Sequence, residues 1–199
     1  MVSLTAVTEL LLVRHGETDW NRESRFQGHA DPPLNELGRA QAGELAAALA
    51  GEELSAIYSS PLRRAFETAE VIAAPRGLSA VPVDGLREVD VGSWQSLTRT
   101  EVEQRFPEQF RRWLGHGQGW QDGETYEQMG ERVIDTLRDL AGRHEGDRIV
   151  GVTHGGPIRA ALALSAGISH SEARRRGPLI GNCFIARFVV RSGEFRHIA

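Results

Sequence analysis

The chain has 199 residues, 40% of them hydrophobic and 25% charged, with a formal net charge of −4. That length suits one core and one domain spanning 1–199, and the charge balance offers no basic field to nucleic acid or an anionic membrane. With Cys183 as the only cysteine and no lysine at all, an internal disulfide, a Schiff-base lysine and a P-loop lysine are excluded.

The opening stretch MVSLTAVTELLLV lacks a basic n-region and carries Glu9 inside its apolar run, which argues against a secretory signal and for a cytoplasmic location. ELLLV reads as a first strand buried on both faces, running straight into Arg14, His15 and Gly16. Asn35 is a good N-cap for the helix ELGRAQAGELAAALA, which Gly51 would stop. SAIYSS (55–60) reads as a second buried strand. Ser60 and Pro61 then supply a cap and an N1 proline for LRRAFETAEVIAA. AVPVDGLRE (80–88) reads as a weaker third strand ending at Glu88.

Between 92 and 124 the chain looks like a lid. Thr98 and Glu101 have capping-box spacing, and EVEQRFPEQFRRWL reads as a helix interrupted at Pro107. Thr125 and Gln128 start a further helix, whose face Tyr126, Met129, Val133, Leu137 and Leu140 is apolar. RIVGVTH (148–154) is a fourth strand ending at His154, and Gly156-Pro157 opens a crossover helix, IRAALALSA. NCFIARFVV and EFRHIA close the chain as a strand pair turning at Ser192-Gly193, with Cys183 expected in an apolar strand as a core residue. Strands alternating with helices indicate an α/β fold: a mainly parallel central sheet, helices on both faces and a small lid.

In such sheets ligands bind beyond the carboxyl ends of the strands. There the sequence delivers Arg14 and His15, then Arg64, then Glu88, then His154 with Gly155. Each residue alone has a bland reading as a structural histidine or a solvated charge. Together they have one chemistry. Two arginines without an anion between them repel, and arginine forks bind phosphate bidentately. They also favour the neutral form of an adjacent imidazole, a competent nucleophile towards phosphorus. On this reading Arg14 clamps a phosphoryl group, His15 attacks it and Gly16 leaves it room. Glu88 protonates the leaving oxygen and then deprotonates water, with Asp90 as the fallback acid, and His154 donates to the equatorial oxygens. The seven histidines are dispersed without i,i+4 pairing, which argues against a catalytic metal. No cofactor is expected.

LLLVRHGETDWN (10–21) resembles the signature of the histidine phosphatase, or phosphoglycerate mutase-like, superfamily. RFQGHADPPLNELGRAQA, IYSSPLRRAFETAEVI, LREVDVGSWQSLT and VTHGGPIRA resemble its later segments in order. The resemblance implies a phosphohistidine on His15, a pocket completed by Arg14, Arg64 and His154, polar contacts from Asn21 and Gln27, and metal-independent chemistry. One departure is visible. Relatives often read Trp-Glu-Gly where this chain has Trp94-Gln95-Ser96. Three activities are compatible with the resemblance: a phosphatase for small phosphomonoesters, a cofactor-dependent phosphoglycerate mutase, or a catalytically silent phosphate-binding module. The modest segment 92–123 and the full set of reactive residues favour the phosphatase. The lid aromatics read mostly as core packing, with Trp20 or one lid tryptophan as the alternative that faces the organic part of the substrate, while Arg174, Arg175 and Arg176 read as a solvated helix face. The oligomeric state is not encoded legibly.

Overall fold

The computed structural model describes residues 7–198, so the first six residues of the opening stretch lie outside it. A six-stranded sheet runs in the order β3-β2-β4-β1-β5-β6. Its strands are β1 (Thr8–Arg14), β2 (Ala56–Ser59), β3 (Ala80–Pro82), β4 (Arg148–Thr153), β5 (Ile185–Arg191) and β6 (Glu194–Ile198). The first four are mutually parallel, whereas β5 runs antiparallel to β1, and β6 antiparallel to β5. No helix among the described residues is long and apolar enough to cross a membrane.

The β1 sequence explains its central place. Its alternate side chains enter different cores. Leu10 and Leu12 pack with Leu137, Ile149 and Ile158 on one face, and Leu11 and Val13 with Leu45, Ile57 and Ile72 on the other. Burying each such side chain contributes about 1.5–3 kcal/mol, so both faces must be covered. Helices α2 (Glu36–Ala48) and α3 (Arg63–Ala73) cover one face, and α6 (Tyr126–Gly142) and α7 (Gly155–Ala166) the other. The lid is α4 (Arg99–Arg105) and α5 (Pro107–Leu114), broken at Pro107 as its sequence implies. Short helices α1 (Asp19–Arg22) and α8 (His170–Arg176) complete the rim.

The capping boxes at Thr98 and Thr125 are both formed. The β5–β6 turn has Ser192 at φ 51° and Gly193 at φ 79°, the pair of positive angles that a two-residue type I′ hairpin requires.

Several boundaries differ from the sequence expectation. Helix α2 ends at Ala48, before Gly51. Helix α3 starts at Arg63 with Leu62 at its N-cap and no side-chain cap, while the Ser60 hydroxyl accepts from the Leu62 N–H and meets His154. The third strand is only Ala80–Pro82, and residues 84–86 turn into a single 3₁₀ turn, so Glu88 sits on a loop rather than at a strand end. Cys183 is not in a strand at all. It is half-buried at φ 56°, just ahead of β5. Its N–H donates to the carbonyls of Arg14 (3.0 Å) and His15 (3.3 Å), which pins the turn into that left-handed geometry.

Candidate active site

Because β1 and β4 are neighbours, the residues just beyond their carboxyl ends meet. The His15 and His154 rings lie 5.1 Å apart, edge to face, at 3% and 0% exposure. The His15 Nδ1 lies 2.7 Å from the carbonyl oxygen of Gly16. A carbonyl only accepts, so Nδ1 carries the proton and Nε2 presents a bare lone pair. The loop is tied down on the other side, where the His15 N–H donates to Thr153 O and Asn182 Nδ2 donates to His15 O, both at 3.0 Å.

The Nε2 of His154 lies 2.8 Å from Ser60 Oγ, which also accepts from the Leu62 N–H, and its Nδ1 is buried without a partner in the protein. The sequence offered no sign that Ser60 would serve a histidine rather than a helix.

Gly16 has a different reason from the one its position suggests. A Cβ there would collide with the carbonyl oxygen of Gly38, and a Cβ on Gly38 would collide with the backbone of Glu17. The two glycines let helix α2 press directly against the loop that carries His15.

Arg14 and Arg64 flank the pair. Arg64 is 1% exposed, and its two terminal nitrogens donate to the carbonyls of Ala30 (2.7 Å) and Gly28 (2.9 Å). Arg14 donates to Ile180 O at 2.6 Å. The Nε of each is buried without a partner. Among the described residues no carboxylate lies within ion-pair distance of either guanidinium. Burial lowers both pKa values, that of Arg64 to about 10. A half-buried and a fully buried cation, both unpaired, repel each other unless an anion is shared between them.

Glu88 faces the same cavity. Its Oε1 accepts from the Val89 N–H at 2.9 Å, and its Oε2 from Gly156 N–H, in the first turn of α7, at 3.3 Å. A Cβ on Gly156 would collide with Glu88 Oε1, so this glycine lets the acid come close, while Gly155 faces open space. The backbone of Glu88 is held by His29 Nε2 (2.8 Å) and by Arg132, whose guanidinium also pairs with Glu124 at 2.7 Å and donates to Gly85 O and Arg87 O. Nothing in the sequence marks this Arg132–Glu124 buckle, its two residues being eight apart with no motif between them. Asp90 accepts from Gly92 N–H instead of entering the cavity wall.

The cavity has a volume of about 300 Å³ and is walled by Asn21 and Gln27 as well. The Asn21 Oδ1 caps α1 through Thr18 and meets Asn182 at 3.3 Å, which leaves its NH₂ for a ligand. Gln27 Oε1 is buried and unpaired. Trp94 and Phe110 are buried in an aromatic core beneath the lid, whereas Trp113, Trp120 and Tyr126 reach the cavity. Trp20 faces a neighbouring recess with Arg25 over its ring. Ser96 adopts φ 68°, a left-handed geometry that costs a non-glycine residue about 1 kcal/mol. Arg175 and Arg176 are solvated as expected, but Arg174 turns into the cavity.

Burial, then the charges of Arg64 and Arg14, hold His15 well below the ordinary imidazole value. Burial, then Arg64 and His15, do the same to His154, and burial with Arg174 and Arg159 lowers His170 to about 4. All three folded values lie below the unfolded one, so the unfolded chain takes up protons that the folded chain refuses. Stability should therefore fall as pH drops from about 6.5 towards 4, by up to about 1.4 kcal/mol per pH unit per histidine. Urea unfolding at pH 7.5 and pH 5.0 measures this effect. Equal stabilities would mean that the imidazoles protonate within the fold.

A mainly parallel α/β sheet with a paired-histidine, paired-arginine pocket at its carboxyl edge defines a phosphate-handling enzyme. Residues 10–198 match the histidine phosphatase superfamily (branch 1), and the chain belongs to it. It is 39% identical over 168 residues to phosphoserine phosphatase 1 of Hydrogenobacter thermophilus, covering 83% of this chain and 80% of that one. Among solved structures it superposes on Bacillus stearothermophilus YhfR with a TM-score of 0.90, at 33% identity over 96% and 95% of the two chains. The mycobacterial glucosyl-3-phosphoglycerate phosphatase in complex with VO₃ gives a TM-score of 0.84 at 30% identity, covering 96% of each chain. The chain is thus a phosphatase of the histidine phosphatase type, a phosphoric monoester hydrolase.

Proposed function

We propose that the chain hydrolyses small phosphomonoesters through a phosphohistidine on His15, as one domain whose segment 92–124 sets specificity. The observation that supports this most is the unprotonated Nε2 of His15 between two arginines that have no carboxylate partner. In the first step Nε2 attacks phosphorus, the P–O bond to the alcohol breaks, and Glu88 gives its proton to the departing oxygen. Arg14, Arg64 and the unpartnered Nδ1 of His154 hold the equatorial oxygens, with Asn21 and Gln27 at the rim. In the second step Glu88, now ionised, takes a proton from water as the water attacks the phosphohistidine. Phosphate leaves, and His15 returns to its neutral form. No metal enters, because the guanidinium groups already carry the positive charge.

Stopped reactions with ³²P-labelled substrate test this. The protein-bound label should be labile in acid and stable in base, and the rate should be unchanged by EDTA. Release of inorganic phosphate without any added bisphosphate would separate hydrolysis from the mutase reaction. An acid-stable label, or activity lost to EDTA and restored by zinc or magnesium, would overturn the reading.

A further inference from the structure

Six arginines line the cavity: Arg14, Arg25, Arg64, Arg99, Arg159 and Arg174. Arg25 is paired with Glu23 and Glu101, and among the described residues the other five have no carboxylate within ion-pair distance. Glu88 is the only acid in the wall. A bound phosphoryl dianion offsets two of the five free charges, those of Arg14 and Arg64, while Glu88 holds the proton for the leaving oxygen. Arg99 is exposed to solvent, which screens it. Arg159 and Arg174, both shielded, are then left facing an aromatic-lined recess.

These two are built in rather than draped over the surface. Arg174 lies 5.3 Å from the Trp113 ring and 5.0 Å from the Tyr126 ring, and donates to Trp113 O and Gly117 O at 3.2 Å. Arg159 is fixed by one bond to Ala173 O at 2.9 Å, which leaves most of its donors unused. His170 stacks on Tyr126 at 4.4 Å, and both its ring nitrogens are buried without a sound hydrogen bond in the protein. Each of these groups sits within electrostatic reach of the others. Arg159, Arg174, His170 and Tyr126 line the same cavity as Glu88, so the cluster adjoins the acid proposed to serve the leaving oxygen.

We propose that Arg159 and Arg174, with His170 and Tyr126, form a second anion subsite, and that the preferred substrate is a small phosphomonoester whose alcohol portion carries its own carboxylate or phosphate. The subsite rests on the phosphatase reading above and extends it to the leaving group. Guanidinium forks meet either anion bidentately, and the 300 Å³ cavity keeps the two anions only a few bonds apart.

Matched substrates test it. O-phosphoserine and O-phosphoethanolamine differ only by a carboxylate, as do 3-phosphoglycerate and glycerol 3-phosphate, apart from a hydroxymethyl group in its place. Propane-1,3-diol bisphosphate against the monophosphate is the phosphate arm. Within at least one pair kcat/KM should favour the more anionic member by 10-fold or more, and the favoured arm names the anion. Arg159→Gln and Arg174→Gln should each shrink that preference roughly 10- to 100-fold, chiefly through KM, the usual worth of a charged hydrogen bond. Arg174→Lys should keep part of it. Equal rates within every pair for the unaltered enzyme would overturn the subsite without recourse to any variant. So would variants that keep the full preference. Failure of the phosphatase reading looks different, since p-nitrophenyl phosphate would then not be hydrolysed either.

Discussion

Replacing His15 with alanine should lower kcat by roughly 10⁴- to 10⁶-fold on every phosphomonoester and leave no protein-bound label, the scale seen when a nucleophile that acts in a concerted set is removed. The loss should be that complete because no neighbour can take over. His154 is 5.1 Å away, but its Nε2 is engaged with Ser60 and its other nitrogen is buried. Folding should survive the change. His15 is a buried group kept neutral at a cost, and its removal relieves that cost below pH 6.5. Thermal unfolding at pH 5.5 should thus show an unchanged or higher Tm beside the lost activity. Residual activity above a thousandth of the original, with label still bound, would place the phosphoryl group on another residue.

The second large effect belongs to Glu88 and depends on the leaving group. An alkoxide needs its proton in the transition state, whereas p-nitrophenolate hardly does. Glu88→Gln keeps the size of the side chain and, through its amide oxygen, one of the two contacts with the Val89 and Gly156 N–H groups, since its NH₂ cannot accept the other. It should nevertheless cost roughly 10²- to 10⁴-fold on an alkyl phosphate, the ordinary range for general acid catalysis. In the burst phase on p-nitrophenyl phosphate it should cost far less. The burst is the phase to measure, because in the steady state the second duty of Glu88, activating water, would depress both substrates alike. Equal losses in the burst itself would remove Glu88 as the acid. Asp90 would not be the natural replacement, since its carboxylate is committed to Gly92 N–H.

Local chemistry decides which features are legible without coordinates. A run such as Leu10–Val13 admits few alternatives to a central strand, and a parallel sheet brings the residues past the carboxyl ends of its strands to one edge. Arg14, His15, Arg64 and His154 are legible for that reason. Glu88 reaches the right cavity by way of a wrong local structure: AVPVDGLRE alternates enough to look like a strand, but Asp84 and Gly85 turn it after Pro82. Gly16 is legible as a close approach, and the partner in that approach is Gly38, which lies too far along the chain to be inferred. Cys183 borrows a strand assignment from the apolar Phe184 and Ile185 beside it, though two carbonyls of the nucleophile loop hold it in a left-handed turn. Arg159, His170 and Arg174 are illegible because a helical position reveals a face, not the surface that face meets. Only the packing of α7 and α8 against Tyr126 and the lid turns those side chains inward.

The antiparallel entry of β5 decides where this chain can be lengthened or cut. Because β5 begins opposite Val13, the segment before it arrives at the reactive edge, and Ile180, Asn182 and Cys183 grip Arg14, His15 and Asn21. An epitope or reporter spliced into 178–184 would pull directly on the attacking imidazole. The Ser192-Gly193 turn closes the far end of the same strand, level with Thr8, the sheet's full height from the cavity. A fluorescent tag, a surface anchor or the new ends of a permuted gene therefore belong at that turn, where a jolt to the backbone has the length of β1 and β5 over which to die away.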